Sequence, residues 1–187
     1  MTDAPRDRRA GPVPPLAAVL AARERRVARR DAALAAGAAT VVVVTPVMPG
    51  PVKLCGIASD AQSAALAALA HLFAEAGWAH ATVGTESAAT GFEAIFAVAA
   101  EPLAVKRATV ALEDGHPLGR LWDIDVTGPD GATLSRRDLG AAPRRCLVCD
   151  APGHACARSQ AHPLDQLLTV MEERLDAAHA DDPDPRT

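Results

Sequence analysis

The chain has 187 residues, enough for one domain with a core of its own, and a formal net charge of −4. That balance argues against general affinity for nucleic acid or an anionic membrane surface, and no apolar run is long enough to span a bilayer. The opening stretch MTDAPRDRRAGPVPP has charge and proline but no apolar centre, and residues 16–22 run straight into RERR. It does not read as a secretory leader, so a cytoplasmic protein is expected.

Residues 1–14 are polar and proline-rich and read as disordered, as does the end, 181–187. Residues 16–36 read as a helix with Leu16, Leu20, Val27 and Leu34 on one stripe, stopped by Gly37. ATVVVVTPV is a buried strand, broken by MPGPVK. A second helix starts at Ser59, whose spacing to Gln62 matches a capping box; Leu66, Leu69, Leu72 and Phe73 form its core face. WAHATVGTE and FEAIFAVA are strands around the turn SAATG. Pro102 opens a third helix, which runs to Gly115, and RLWDIDV follows as a strand. The order over residues 39–127 is therefore β-α-β-β-α-β, the ferredoxin-like split βαβ arrangement, with helices on one sheet face. The expected fold is α+β, one domain over residues 15–180. An Arg- and Cys-rich loop follows the last strand, and a final helix starts at Pro163.

The most informative short motif is in the last strand. Side chains alternate along a strand, so Asp123 and Asp125 share one face and Trp122, Ile124 and Val126 the other. Two carboxylates side by side repel unless a cation lies between them, which makes magnesium the expected cofactor. A bare D-x-D is also compatible with an ordinary polar edge. Arginines weigh toward the metal: Arg136, Arg137, Arg144, Arg145 and Arg158 follow in the tail, with Lys53 and Lys106 earlier as second choices. Guanidinium forks suit phosphate oxygens, so carboxylates and arginines together suggest a polyphosphate site.

Cys146, Cys149, Cys156 and His162 offer four zinc ligands, but only the first pair has standard knuckle spacing. Reduced thiols packing the tail are the preferred reading, with zinc as the alternative. Cys55 stands apart as a packed thiol. The arginines of the first helix (Arg23, Arg25, Arg26, Arg29 and Arg30) read first as a solvated face and second as a docking surface for an acidic partner. No Ser-His-Asp arrangement, P-loop or G-x-G-x-x-G fingerprint is present in the chain. A non-catalytic binding module and a nucleotidyltransferase using ordinary nucleoside triphosphates stay open on these residues alone.

Several stretches taken together carry a resemblance: AARERRVARR, MPGPVK, AATGFEAIFAV, AVKRATVALEDGHPLGRLWDIDV, LSRRDLG and PRRCLVCD with ACARSQAHPLDQLL. They resemble the apo-citrate lyase phosphoribosyl-dephospho-CoA transferases, also called citrate lyase holo-acyl-carrier-protein synthases, over about residues 16–175. The resemblance implies transfer of 2′-(5″-triphosphoribosyl)-3′-dephospho-CoA to a serine of the acyl carrier subunit of citrate lyase. A phosphodiester forms and diphosphate leaves. Asp123 and Asp125 would then hold magnesium on the triphosphate, with Asp125 the favoured general base. The arginines would hold phosphates, and the arginine helix would suit an acidic carrier protein.

Overall fold

In the computed structural model, which describes residues 7–181, the valine run 41–44 is the middle of one antiparallel sheet. Strand β1 (Thr40–Pro46) pairs on one side with β3 (Gly91–Val98) and on the other with β4 (Trp122–Thr127). The hairpin partner β2 (His80–Ala88) and the short β5 (Thr133–Leu134) form the edges, giving the order β2-β3-β1-β4-β5. The helices are α1 (Leu16–Ala35), α2 (Gly56–Glu75), α3 (Pro102–Gly115), α4 (Gly153–Ser159) and α5 (Leu164–Asp181). The expected β-α-β-β-α-β order and the single α+β domain are present, framed by helices at both ends.

Period-2 alternation divides the sheet into two faces. Val42, Val44, Ala94, Trp122, Ile124 and Val126 pack beneath α2, α3 and α5, with Ile57, Leu69, Phe73, Met171 and Leu175, to form the main core. Trp122 is fully buried, and its indole N–H donates to the Ala61 carbonyl at 2.8 Å. Val41, Val43 and Ile95 form a smaller cluster on the opposite face, covered by Ala33 and Leu34 of α1. Both faces therefore carry a helix, where one covered face was expected.

The contacts of α1 differ from its sequence pattern. Leu16, Leu20 and Val27 are 72%, 48% and 44% exposed, while Ala22 and Ala33 are buried. The helix turns its small residues and Arg25, Arg26 and Arg29 toward the sheet, because the sheet face beneath it is acidic. Arg26 pairs with Glu93, and Arg29 pairs with Glu86 at 2.6 Å and Glu93 at 2.8 Å. Glu93 is 6% exposed, and a carboxylate so buried requires partners of opposite charge. Arg25 also reaches Glu86, at 2.7 Å. Arg26 and Arg29 are therefore not part of a solvated face, whereas Arg23 and Arg25 are exposed.

Three smaller expectations also change. Helix α2 starts at Gly56 after Cys55, so Ser59 and Gln62 lie inside it and form no capping box; Gln62 is buried. Of the stretch read as disordered at the start, residues 7–14 fall within the described part. There Arg8 pairs with Asp60 and Asp176, Arg9 pairs with Asp165 and Glu172, and the Arg8 carbonyl accepts from the Ile57 N–H at 3.1 Å. Residues 1–6 and 182–187 lie outside the described residues. Finally, the tail read as loop contains α4 and a 3-10 turn over Arg136–Leu139.

Candidate functional site

The two aspartates of β4 stand on the sheet face that α1 covers only in part. The register places Asp125 opposite Val43 and Asp123 opposite Thr45. Both carboxylates are exposed, while the residues on either side of each are buried. On its outer side β4 pairs with β5 only at Val126 and Thr127, so Ile124, between the aspartates, has no strand partner there. Side chains of α3 take that place. The Ile124 N–H donates to Glu113 Oε1 at 3.0 Å, and Lys106 Nζ donates to the Ile124 carbonyl at 3.1 Å. Lys106 and Glu113 are 5% and 4% exposed, so this clamp is built into the core. It satisfies backbone groups that would otherwise be an open sheet edge, and it fixes the segment carrying both carboxylates.

The two carboxylates differ in surroundings. Asp123 Oδ1 accepts from Arg144 Nη1 at 3.0 Å. Asp125 has neither hydrogen bond nor ion pair among the described residues. It is open to solvent yet recessed: burial, then the Asp123 carboxylate, pushes its pKa above the usual aspartate range, with Lys106 and Arg26 pulling the other way. Asp125 therefore has no paired cation among the described residues, and its oxygens could hold a hard divalent ion.

Arg144 also donates to the Trp122 carbonyl and approaches Glu113 Oε1 at 3.7 Å. Beside it stands Arg120, which the sequence reading did not single out. Its Nε and Nη1 are buried and have no partner among the described residues. Burial and the neighbouring Arg144 lower its pKa, with Arg136 and Arg174 adding to the repulsion and Glu113 opposing it. A buried guanidinium with idle donors is costly unless an anion visits it. Arg120 is placed by the 3-10 turn Gly119–Leu121. Gly119 is needed there, because a Cβ would lie 2.3 Å from the Glu113 carbonyl oxygen.

Arg120 and Arg144 both line a cleft of about 840 Å³ between the loop Met48–Gly50, the Cys146 segment and the start of α5. A second cleft of about 510 Å³ lies on the other side of Cys146 and Leu147, where Arg120, Arg136, Arg145 and Arg174 converge with Asp114 and Asp150. Of the seven cationic residues expected at phosphate, Arg144 alone touches Asp123 and lines the larger cleft. Arg136 lines the smaller cleft but is held by Glu113 at 2.6 Å and Asp114 at 2.9 Å. Arg145, also on the smaller cleft, is exposed and pairs with Asp150 at 3.0 Å. Arg137 and Arg158 are exposed and line neither cleft. Lys106 is committed to Ile124, and Lys53 donates to the Met48 carbonyl, with its pKa lowered by burial and by Arg23.

The tail thiols converge. Ligand atoms of Cys146, Cys149, Cys156 and His162 all lie within 4.8 Å of one another. Burial pushes the Cys146 thiol up, but N–H groups of Val148 and Cys149 and neighbouring thiols pull it further down, to about 7. The Cys149 thiol, followed by burial, pushes Cys156 up to about 11. Cys55 is buried and remote from this group, as a packed thiol should be.

A fixed carboxylate pair next to converging guanidinium groups is the equipment of a transferase that handles phosphorylated ligands. The model of the family "Apo-citrate lyase phosphoribosyl-dephospho-CoA transferase" matches residues 15–178. Proteins described by the same words in Escherichia coli O9:H4 (strain HS) and Shigella boydii serotype 18 (strain CDC 3083-94 / BS512) are each 40% identical over 162 residues, covering 87% of this chain and 88% of theirs. The chain belongs to the apo-citrate lyase phosphoribosyl-dephospho-CoA transferase family.

Proposed function

We propose that the chain transfers 2′-(5″-triphosphoribosyl)-3′-dephospho-CoA to a serine of the apo acyl carrier subunit of citrate lyase. The new bond joins the serine oxygen to the phosphorus attached to ribose. The bond broken is the anhydride to the next phosphate, and diphosphate leaves. The observation that carries the reading is Asp125: a carboxylate with no ion pair among the described residues, fixed on β4 close to Asp123, which Arg144 contacts.

In this reading Asp123 and Asp125 would hold magnesium, which would supply positive charge for the departing diphosphate. Arg120 brings its idle N–H donors to the phosphate oxygens, and Arg144 turns toward them from Asp123. Asp125 is the favoured general base for the serine proton. The clamp of Lys106 and Glu113 keeps both aspartates in place without touching the reacting atoms. The acyl carrier subunit supplies the nucleophile, so no Ser-His-Asp arrangement is required of this chain.

Asp123→Asn and Asp125→Asn test the reading through transfer rate. Each should lower it about a hundredfold or more, since charge stabilisation by a metal is worth several kcal/mol. Near-normal rates in both folded variants would reduce the pair to a polar strand face.

A further inference from the structure

We infer that Cys146, Cys149, Cys156 and His162 form a closed structural zinc site that fixes the hairpin from which Arg144 reaches Asp123. Four-coordinate zinc with Zn–S near 2.3 Å spaces its sulfurs about 3.8 Å apart along the tetrahedron's edges. In the protein Cys149 Sγ lies 3.5 Å from Cys156 Sγ and 3.3 Å from His162 Nε2, and all four ligand atoms lie within 4.8 Å of each other. A disulfide would use only two of the thiols and leave the other thiol and the imidazole gathered for nothing. Three thiols and one imidazole are a standard structural zinc set with no open position.

The local backbone is built to make this cluster. Residues 147–150 form the turn of a small hairpin, with the Cys146 N–H donating to the Ala151 carbonyl at 2.8 Å and the Gly153 N–H to the Arg144 carbonyl at 2.7 Å. The Val148 N–H points at Cys146 Sγ, 3.5 Å away, as amides do around metal-bound sulfur. Helix α4 presents Cys156. It ends at Gln160 in a left-handed conformation, φ 50°, the one non-glycine residue with positive φ among those described. That conformation is unfavourable for glutamine, and it folds the chain back so that His162 meets Cys149. Around this segment Cys146 is buried, while most of residues 150–161 are exposed and α4 buries no residue. A segment with so little apolar burial lacks other means of holding its shape, and a metal provides one.

The consequence reaches the reaction face. Arg144 is two residues before Cys146, and its carbonyl is pinned within the same hairpin. Cys146, Cys156 and His162 also line the larger cleft with Arg120 and Arg144. Zinc would thus set the wall of the cleft without taking part in the transfer.

The test is metal content, which is independent of the proposed reaction. Full-length protein purified without chelator should contain one equivalent of zinc by elemental analysis. Titrating its thiols with p-mercuribenzoate should release that zinc to a chromogenic chelator. Replacement by cobalt should give the intense visible absorption of a tetrahedral ion together with thiolate charge-transfer bands. Cys149→Ser should lower the zinc stoichiometry or weaken its retention. If that variant does not fold, the cobalt spectrum of the unaltered chain decides alone. Protein without zinc that also fails to bind cobalt tetrahedrally, or that carries a Cys149–Cys156 disulfide when purified, would overturn the inference.

Discussion

Ile124 carries no functional side chain, yet its backbone sets the geometry of the two aspartates beside it. Lys106 and Glu113 hold that backbone from the core side, so Asp125 projects from a fixed strand with no cation paired to it among the described residues. The folded chain keeps Asp125 protonated to higher pH than the unfolded chain does. Stability from this group is therefore full below the ordinary aspartate range and falls as pH climbs through the raised folded value. Asp125→Asn should remove that loss. In magnesium-free buffer, urea unfolding should show the variant at least as stable as the parent near neutral pH, despite its loss of transfer; a clearly less stable variant would mean Asp125 has a structural partner. Arg120→Met makes a parallel case. It keeps the apolar stem and removes donors that have no partner. Calorimetric titration with the donor should show binding weakened about tenfold or more, from loss of charged hydrogen bonds worth roughly 1.5–3 kcal/mol, with stability unchanged or raised. At this scale the aspartate pair was legible, because strand alternation is a local rule. Arg120 was not: its importance comes from burial, which depends on Gly119 packing against the Glu113 carbonyl and on the approach of Arg144.

Helix α1 shows why charge along a helix does not reveal its destination. Five arginines in eight residues resemble a solvated or partner-seeking face. Three of them, Arg25, Arg26 and Arg29, pair with Glu86 and Glu93, on strands more than fifty residues away. Replacing both Arg26 and Arg29 with alanine should leave Glu93 buried and unpaired, at a cost of about 3–5 kcal/mol in urea unfolding. Adding Glu93→Gln should recover part of that cost. A loss within about 0.5 kcal/mol would restore the solvated reading. The other elements were more legible. The valine run, the two-residue turn after β2 and Pro102 at the start of α3 each carry a local signal. Glu101 caps α3 by accepting from the Ala104 N–H at 2.8 Å. The supposed capping box at Ser59 failed because residues 55–57 are drawn into the core, where the Ile57 N–H meets the Arg8 carbonyl, and the helix begins a turn earlier.

Across the whole molecule, element order was enough to give the sheet. A β-α-β-β-α-β chain with a tight hairpin closes as β2-β3-β1-β4 when both crossovers lie on one face. The tail was harder to read, because its ligand spacing is irregular and is completed in space by α4 and the turn at Gln160. The result is one sheet whose far face bears two carboxylates, flanked by a clamp from α3 and by a cleft walled with arginines. The account rests on that face performing prosthetic-group transfer. The direct measurement is the intact mass of the apo acyl carrier subunit of citrate lyase after incubation with this protein, magnesium and 2′-(5″-triphosphoribosyl)-3′-dephospho-CoA. The carrier should gain the mass of the donor less diphosphate, on its acceptor serine, and Asp125→Asn should abolish most of that gain in the same time. An unmodified carrier with a folded, donor-binding protein, or full modification by the Asp125→Asn variant at the parent rate, would contradict the account.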